Sequence, residues 1–259
     1  DYQIVQGNIT FIGLENFKKV LSGGSRFWYA YRNNFLYALV TVPFILLGGM
    51  LFAYLINGLK KGQSIFRVGF YLPVITSWVI VSLVFQYMFN NSNRGLINYI
   101  LVDVLHILDD YVPWLLREWS GNAAIWLMGI WKNLGWAMLI YLAALQGIPK
   151  DRYEAAELDG AGLWAKFWHI TIPSLRPTTF YVMVNMIIGS FNVFIQVMML
   201  TSGNPRGTTS VLQYLLYDKS FNLFQFGQGA AIGMITALLV LLTTVVLNQV
   251  FHTEGGKAE

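Results

Sequence analysis

The chain has 259 residues, of which 56% are hydrophobic and 12% charged, and its formal net charge at pH 7 is +4. Because soluble domains carry about 25% charged residues, this composition excludes an ordinary water-soluble domain, and the absence of cysteine excludes disulfides, thiolate nucleophiles and cysteine-ligated metals. The basic residues are scattered along the chain, which argues against a nucleic-acid partner.

Five windows are long enough to cross a bilayer, which takes about 20 predominantly apolar residues. They contain no Asp or Glu and a single cation, Lys132, and they run over residues 34–56, 68–89, 123–145, 177–200 and 227–251. Backbone groups cannot stay unpaired in hydrocarbon, so each window is predicted to be a transmembrane helix. The chain is therefore predicted to be an all-α membrane protein, with one transmembrane domain over residues 1–259.

Lys132 is the tenth residue of its window, which places it near mid-depth. A lysine there costs roughly 2.5–3.5 kcal/mol on insertion scales, so it usually faces a polar cavity or a partner. One interpretation is structural: the side chain snorkels to the interface or pairs with a neighbouring subunit. The other is functional: Lys132 lines a polar path for a solute, together with Asn133 and Trp136.

The connection over residues 146–176 contains a short, strongly acidic segment. Its helical pattern predicts Asp151 as the N-cap, with Glu154 reaching back as in a capping box. Gly160 and Gly162 are predicted to end the helix. Because the side chains between these residues are small, the helix would fit closely into a groove of a partner protein. The alternative is a capped linker that only joins two spans.

Residues 153–173 read YEAAELDGAGLWAKFWHITIP. The segment resembles the EAA loop of the permease subunits of ABC importers: E-A-A, then D-G-A, then F-x-x-I-T-x-P. Four further segments resemble the carbohydrate-importer branch of that family, the maltose and glycerol-phosphate type. They are FIGLENF at 11–17, RVGFYLP at 67–73, WKNLGWAMLIYLAALQGIP at 131–149 and TSGNP at 201–205. Asn204 departs from the second glycine of the usual T-x-G-G-P.

The resemblance implies a type I ABC importer permease fold with six spans and both ends inside, so a first span is expected to precede Asp1. In the family the EAA loop is a coupling helix, which lies on the cytoplasmic side and seats in a cleft of the ATP-hydrolysing subunit. This settles the orientation, which the count of Lys and Arg, eight on each side, leaves open. The residues expected to couple to the ATPase are Glu154, Ala155, Ala156, Asp159 and Gly160.

The resemblance also implies two patches along a sugar pathway. In the maltose-type permease the matching stretches touch the sugar, and on this chain they map to Lys132, Asn133 and Trp136, and to Gly189, Ser190 and Val193. Aromatic faces suit the C–H surfaces of a sugar, and amides suit its hydroxyls. Val193 cannot hydrogen-bond a hydroxyl, which argues against maltose itself, and the cation at Lys132 leaves room for an acidic sugar.

The resemblance therefore predicts a transmembrane subunit that passes a sugar or oligosaccharide across the bacterial or archaeal cytoplasmic membrane, as a multi-pass protein. It is predicted to have no catalytic residue, metal site or cofactor of its own. No P-loop occurs in the chain, so ATP and Mg²⁺ are expected on partner subunits. The expected partners are a second permease subunit in a heterodimer, two ATP-binding subunits, an extracytoplasmic solute-binding protein, the lipid bilayer and the sugar.

Three alternatives remain. A permease of the same family could carry a glycerol-phosphate or an acidic oligosaccharide. An ion-coupled secondary transporter would require buried carboxylates and repeated halves, which the five windows do not show. An intramembrane enzyme would need a nucleophile with a base, or metal ligands, and the windows contain no His, Asp, Glu or Cys.

Overall fold

The computed structural model describes residues 11–22 and 24–255, with side chains at 11–22, 24 and 26–249, and every regular element in this part of the chain is a helix. The α-helices are α1 Glu15–Ser22, α2 Ser25–Asn57, α3 Gln63–Ile75, α4 Trp78–Met88, α5 Leu96–Asn98, α6 Glu118–Leu145, α7 Lys150–Leu158, α8 Leu163–Lys166, α9 Ile172–Ser174, α10 Arg176–Phe191, α11 Ile195–Leu200, α12 Leu212–Tyr217 and α13 Phe226–Gly255. Short π-helical segments run over Tyr99–Val104, Phe167–Thr171 and Asp218–Asn222, and a 3₁₀ turn over Trp114–Leu116. Asp1, before which a further span is expected, lies outside the described residues.

Three helices within the described residues are long and apolar enough to cross a membrane: Arg26–Asn57, Glu118–Leu145 and Phe226–Gln249. They coincide with the first, third and last predicted windows. A fourth candidate span is obtained if the broken pair α3 and α4 is counted as one. The all-α membrane fold is confirmed, whereas the prediction of five continuous spanning helices is wrong for the two windows at 68–89 and 177–200.

The window at 68–89 is interrupted between α3 and α4. Thr76 and Ser77 both have extended ψ angles, of 140° and 138°. The Ser77 hydroxyl accepts a hydrogen bond from the Val79 amide at 3.3 Å and so caps the start of α4. Pro73 lies in the last turn of α3, where it removes one backbone donor. The segment is apolar on both sides of residues 76 and 77, so its hydrophobicity does not reveal that the helix is interrupted there.

The window at 177–200 is interrupted between α10 and α11. Phe194 leaves the helical conformation with φ −142° and ψ −63°. Its amide donates to the side-chain oxygen of Gln196 at 3.2 Å instead of to a helical carbonyl. The predicted single span is therefore a 16-residue helix followed by one of six residues.

The described chain divides into two compact units. Unit 1 comprises residues 11–38, 77–128 and 188–255, and unit 2 comprises residues 39–76 and 129–187, so that α2, α6 and α10 each contribute to both. The prediction of one domain over the whole chain stays a prediction. The core of unit 1 contains Val81, Phe85, Met128, Val197 and Tyr214, and the core of unit 2 contains Ile45, Met138, Tyr141, Phe167 and Val182.

Candidate functional site

The acidic segment forms helix α7, as predicted, but it begins differently. Its N-cap is Pro149, and no side chain caps the first turn. Because the helix starts at Lys150, Asp151 lies inside the first turn and Glu154 lies beyond the reach of a capping box, so that prediction is wrong. The Asp151 carboxylate still favours this end, since negative charge in a first turn interacts well with the helix dipole.

The other end of α7 is closed by a Schellman motif centred on Gly160. The Ala161 amide donates to the carbonyl of Ala156 at 2.8 Å, and the Gly160 amide to that of Glu157 at 3.0 Å. Gly160 adopts φ +78°, which glycine reaches without steric cost. The prediction that Gly160 ends the helix is confirmed. Gly162 does not end it, because this residue has φ −69° and stands as the N-cap of α8.

Helix α7 presents an exposed, acidic and partly apolar surface. The side chains of Glu154, Ala155 and Asp159 are exposed, and Ala156 is half-buried. Leu158 is 91% exposed, which is unusual for a leucine outside a bilayer-facing span. The five residues expected to couple to the ATPase are thus gathered on one short helix and its cap, and most of them are open to a partner.

Three side-chain contacts fix α7 and α8 within unit 2. Lys166 forms an ion pair with Glu157 at 2.5 Å. The hydrogen bond from Lys166, together with its positive charge, lowers the pKa of the Glu157 carboxyl. The Tyr153 and Thr171 hydroxyls lie 2.9 Å apart, and the Tyr54 hydroxyl donates to the Leu163 carbonyl at 2.9 Å. Sequence reasoning missed these contacts, although Glu157 and Lys166 both lie in the EAA-like segment over residues 153–173.

Lys132 is buried in unit 2, with 4% of its surface exposed. Its ammonium donates to three backbone carbonyls, those of Pro73 at 2.8 Å, Val74 at 3.1 Å and Thr76 at 2.6 Å. An ammonium group has three donors, so these bonds match its capacity. The partner of Lys132 is therefore the backbone at the end of α3, which neither interpretation predicted, and its role in a pathway stays a prediction.

The other predicted pathway residues of unit 2 are Asn133 and Trp136. The Asn133 amide donates to the Gly129 carbonyl of its own helix at 2.8 Å. The Trp136 ring is half-buried and lies 6.4 Å from the ring of Tyr181. Together, Trp136 and Tyr181 form a partly exposed aromatic surface.

The second predicted patch, in unit 1, is largely closed. Gly189 is exposed, and a Cβ at this position would meet no atom within 4 Å. Ser190 is 1% exposed, and its carbonyl accepts a hydrogen bond from the Asn34 amide at 2.7 Å. Val193 is 2% exposed and belongs to the apolar core. Of the three, Gly189 is the one whose surface is open.

Two buried asparagines that sequence reasoning missed, Asn33 and Asn34, organise unit 1. The Asn34 side chain accepts from the Leu212 amide at 2.8 Å as well as donating to Ser190. The Asn33 amide donates to the carbonyls of Thr208 at 2.6 Å and Ser210 at 2.8 Å. A pair of adjacent amides at the edge of an apolar window is the signal that could have indicated them.

Comparison with known proteins identifies a family. The model of the family described as "Binding-protein-dependent transport system inner membrane component" matches residues 21–252. The arabinooligosaccharides transport system permease protein AraP of Halalkalibacterium halodurans is 32% identical over 98% of this chain and 79% of its own length. The trehalose/maltose transport system permease protein MalF of Thermococcus litoralis is 34% identical over 93% of this chain and 79% of its own.

A solved structure shares the fold. It is a chain of a bacterial ABC transporter involved in the import of the acidic polysaccharide alginate, and it matches with a TM-score of 0.83 over 93% of this chain and 83% of its own. Its sequence is 24% identical, so this likeness speaks for the fold alone.

Proposed function

The chain belongs to the family of binding-protein-dependent transport system inner membrane components, and we propose that it carries a neutral sugar or oligosaccharide across the cytoplasmic membrane as one permease subunit of an ATP-driven importer. The sugar class rests on relatives that are at least 32% identical over nearly the whole chain and that are permeases for arabinooligosaccharides and for trehalose and maltose. The remaining subunits of the proposed importer are a second permease, two ATP-binding subunits and an extracytoplasmic solute-binding protein.

Helix α7 carries the proposal of ATP coupling. It is short, it is fixed at its C-terminal end by Gly160, and it exposes Glu154, Asp159 and Leu158. A short, capped acidic helix with an exposed leucine near its C-terminal end fits a basic groove in a partner. Charge complementarity would guide docking, and the leucine would supply buried apolar area. We propose that Glu154 forms an ion pair with a basic group in the groove of the ATPase subunit.

The structure also bears on the charge of the solute. The alternative of a glycerol-phosphate or an acidic oligosaccharide relied on Lys132 as a cation in the pathway. Because the Lys132 ammonium is bonded to three carbonyls, an anionic solute would have to compete with them for it. This observation favours a neutral solute, for which Trp136 and Tyr181 provide a stacking surface.

The experiment is reconstitution of the chain with its partner permease, ATPase and binding protein in proteoliposomes. Uptake of labelled arabino- and malto-oligosaccharides is compared with uptake of glycerol-phosphate and of alginate oligosaccharides. We expect uptake of a neutral sugar that requires ATP and binding protein, and that falls in Trp136→Ala without loss of subunit assembly. Uptake driven by an ion gradient without the ATPase would instead support a secondary transporter.

A further inference from the structure

The end of α3 has backbone carbonyls that its own helix cannot pair. The last four carbonyls of a helix have no partner within it, and in α3 these belong to residues 72–75. The Thr76 amide and hydroxyl both donate to the Leu72 carbonyl, at 3.3 and 2.8 Å. Since Thr76 and Ser77 are extended, the following amides do not continue the ladder, and the carbonyls of Pro73 and Val74 need donors from another element.

Lys132 supplies these donors from α6. Its ammonium lies 2.6–3.1 Å from the carbonyl oxygens of Pro73, Val74 and Thr76. A positive charge at this end also interacts favourably with the negative end of the dipole of α3. The charge at Lys132 therefore supplies donors to carbonyls that have none within α3.

Gly135 brings the two helices close enough for this contact. It lies one turn after Lys132 on α6, and a Cβ built on it would overlap the carbonyl oxygen of Phe70 and stand 2.7 Å from its carbonyl carbon. Backbone atoms cannot move aside as a flexible side chain can. Any residue larger than glycine would push α3 away from α6 and carry the carbonyls away from the ammonium.

We propose that the carbonyls of Pro73, Val74 and Thr76 form a monovalent-cation site that the Lys132 ammonium occupies, and that the occupied site stabilises the break between α3 and α4. Backbone carbonyls bind cations in ion filters, and the three oxygens at this site match the three N–H donors of a primary ammonium. The site binds a primary ammonium because each of its three donors finds an acceptor. The proposal is independent of the transported solute.

Chemical rescue tests the proposal. Lys132→Ala removes the ammonium and its stem, which leaves space for a small cation, whereas Lys132→Met removes the charge but keeps most of the volume. The purified importer complex is heated with increasing methylammonium chloride, or with choline chloride, whose cation has no N–H donor. The thermal midpoint of each variant is recorded at matched ionic strength.

Both variants are expected to unfold several degrees below wild type. Methylammonium should recover at least half of the loss in Lys132→Ala, and the recovery should rise with the logarithm of concentration, as for any ligand of the folded state. Choline should recover none of it, and neither salt should help Lys132→Met or Gly135→Ala. A wild-type midpoint in Lys132→Ala, or equal effects of both salts on it, would overturn the proposal.

A second measurement applies if Lys132→Ala does not assemble. In Lys132→Met, the rate of amide hydrogen exchange is expected to rise at least tenfold in peptides covering residues 70–80, relative to wild type, and to stay unchanged in α7. Wild-type protection of residues 70–80 would show that the ammonium does not hold the break. Neither readout depends on which solute is transported, so a failure of the proposed sugar specificity would leave both unaffected.

Discussion

Replacing Gly160 by alanine tests whether the cap of α7 matters for coupling. Gly160 has φ +78°, and an added Cβ would meet nothing within 4 Å, so the substitution adds no clash with neighbouring residues. The effect is therefore conformational, and a non-glycine residue in the left-handed region costs roughly 1–2 kcal/mol. Such a difference changes the ratio of capped to uncapped loop by a factor of about 5–30.

Gly162→Ala is the matched control. Gly162 lies two residues away, and a Cβ there would also meet nothing within 4 Å, but its φ is −69°, which alanine adopts freely. The assay is ATPase activity in proteoliposomes with and without substrate-loaded binding protein. We expect Gly160→Ala to lose most of the stimulation, Gly162→Ala to keep it, and Gly160→Asn to lie between them, since Asn tolerates the left-handed region. Equal stimulation in the two alanine variants would refute the reasoning.

Three further predictions follow from the same contacts. Glu154→Lys should weaken co-purification of the ATPase subunit, whereas Glu154→Gln should weaken it less, because only the first brings a like charge to the groove. The Glu157 pKa is lowered by Lys166, so the pair stabilises the loop above the usual carboxyl range and loses this effect as pH falls through the lowered pKa. Pepsin should therefore cleave the loop more slowly in wild type than in Glu157→Gln at the upper end of its working range, and the ratio of the two rates should approach one as pH falls. A ratio that does not change with pH would contradict the assignment. Asn34→Leu removes the side chain that pairs with the Leu212 amide and the Ser190 carbonyl and should cost about 1–3 kcal/mol for each lost hydrogen bond, seen as a lower thermal midpoint. Asn185→Leu, the control, should change the midpoint little, because the Asn185 amide bonds its own helix at 2.8 Å.

The sequence predicted features that depend on local chemistry. Gly160 was predicted to end α7 because few other residues adopt a left-handed cap, and three of five windows were confirmed because their helices are continuous. The start of α7 was predicted wrongly because Pro149 begins the helix earlier than Asp151 would, and a shift of two residues removes Glu154 from the capping register. Apolar composition measures whether a segment prefers lipid and does not report whether its backbone stays helical, so the breaks at residues 76–77 and 192–194 were missed.

The contacts of Lys132 could not be predicted, because its acceptors lie 56–59 residues earlier in the chain. The sequence showed a charged residue inside an apolar window, and two explanations were considered: a structural role, at the interface or against a neighbouring subunit, and a place in a solute pathway. The third explanation is that Lys132 pairs with backbone carbonyls that have lost their helical donors, and it depends on a helix break that the sequence did not reveal. A polar residue inside an apolar window therefore indicates an unsatisfied group nearby as readily as a solute.

The polar side chains inside the described spans can be sorted by this criterion. Lys132 satisfies the end of α3, Gln196 satisfies the amide of Phe194 at the break before α11, and Asn34 satisfies the backbone on either side of that break, at residues 190 and 212. Each is 7% exposed or less. Because irregular backbone in hydrocarbon requires such partners, these side chains are already committed to the fold. A solute pathway must then be sought among groups that remain accessible, and among the predicted residues Trp136 in unit 2, which lies beside Tyr181, and Gly189 in unit 1 meet this condition.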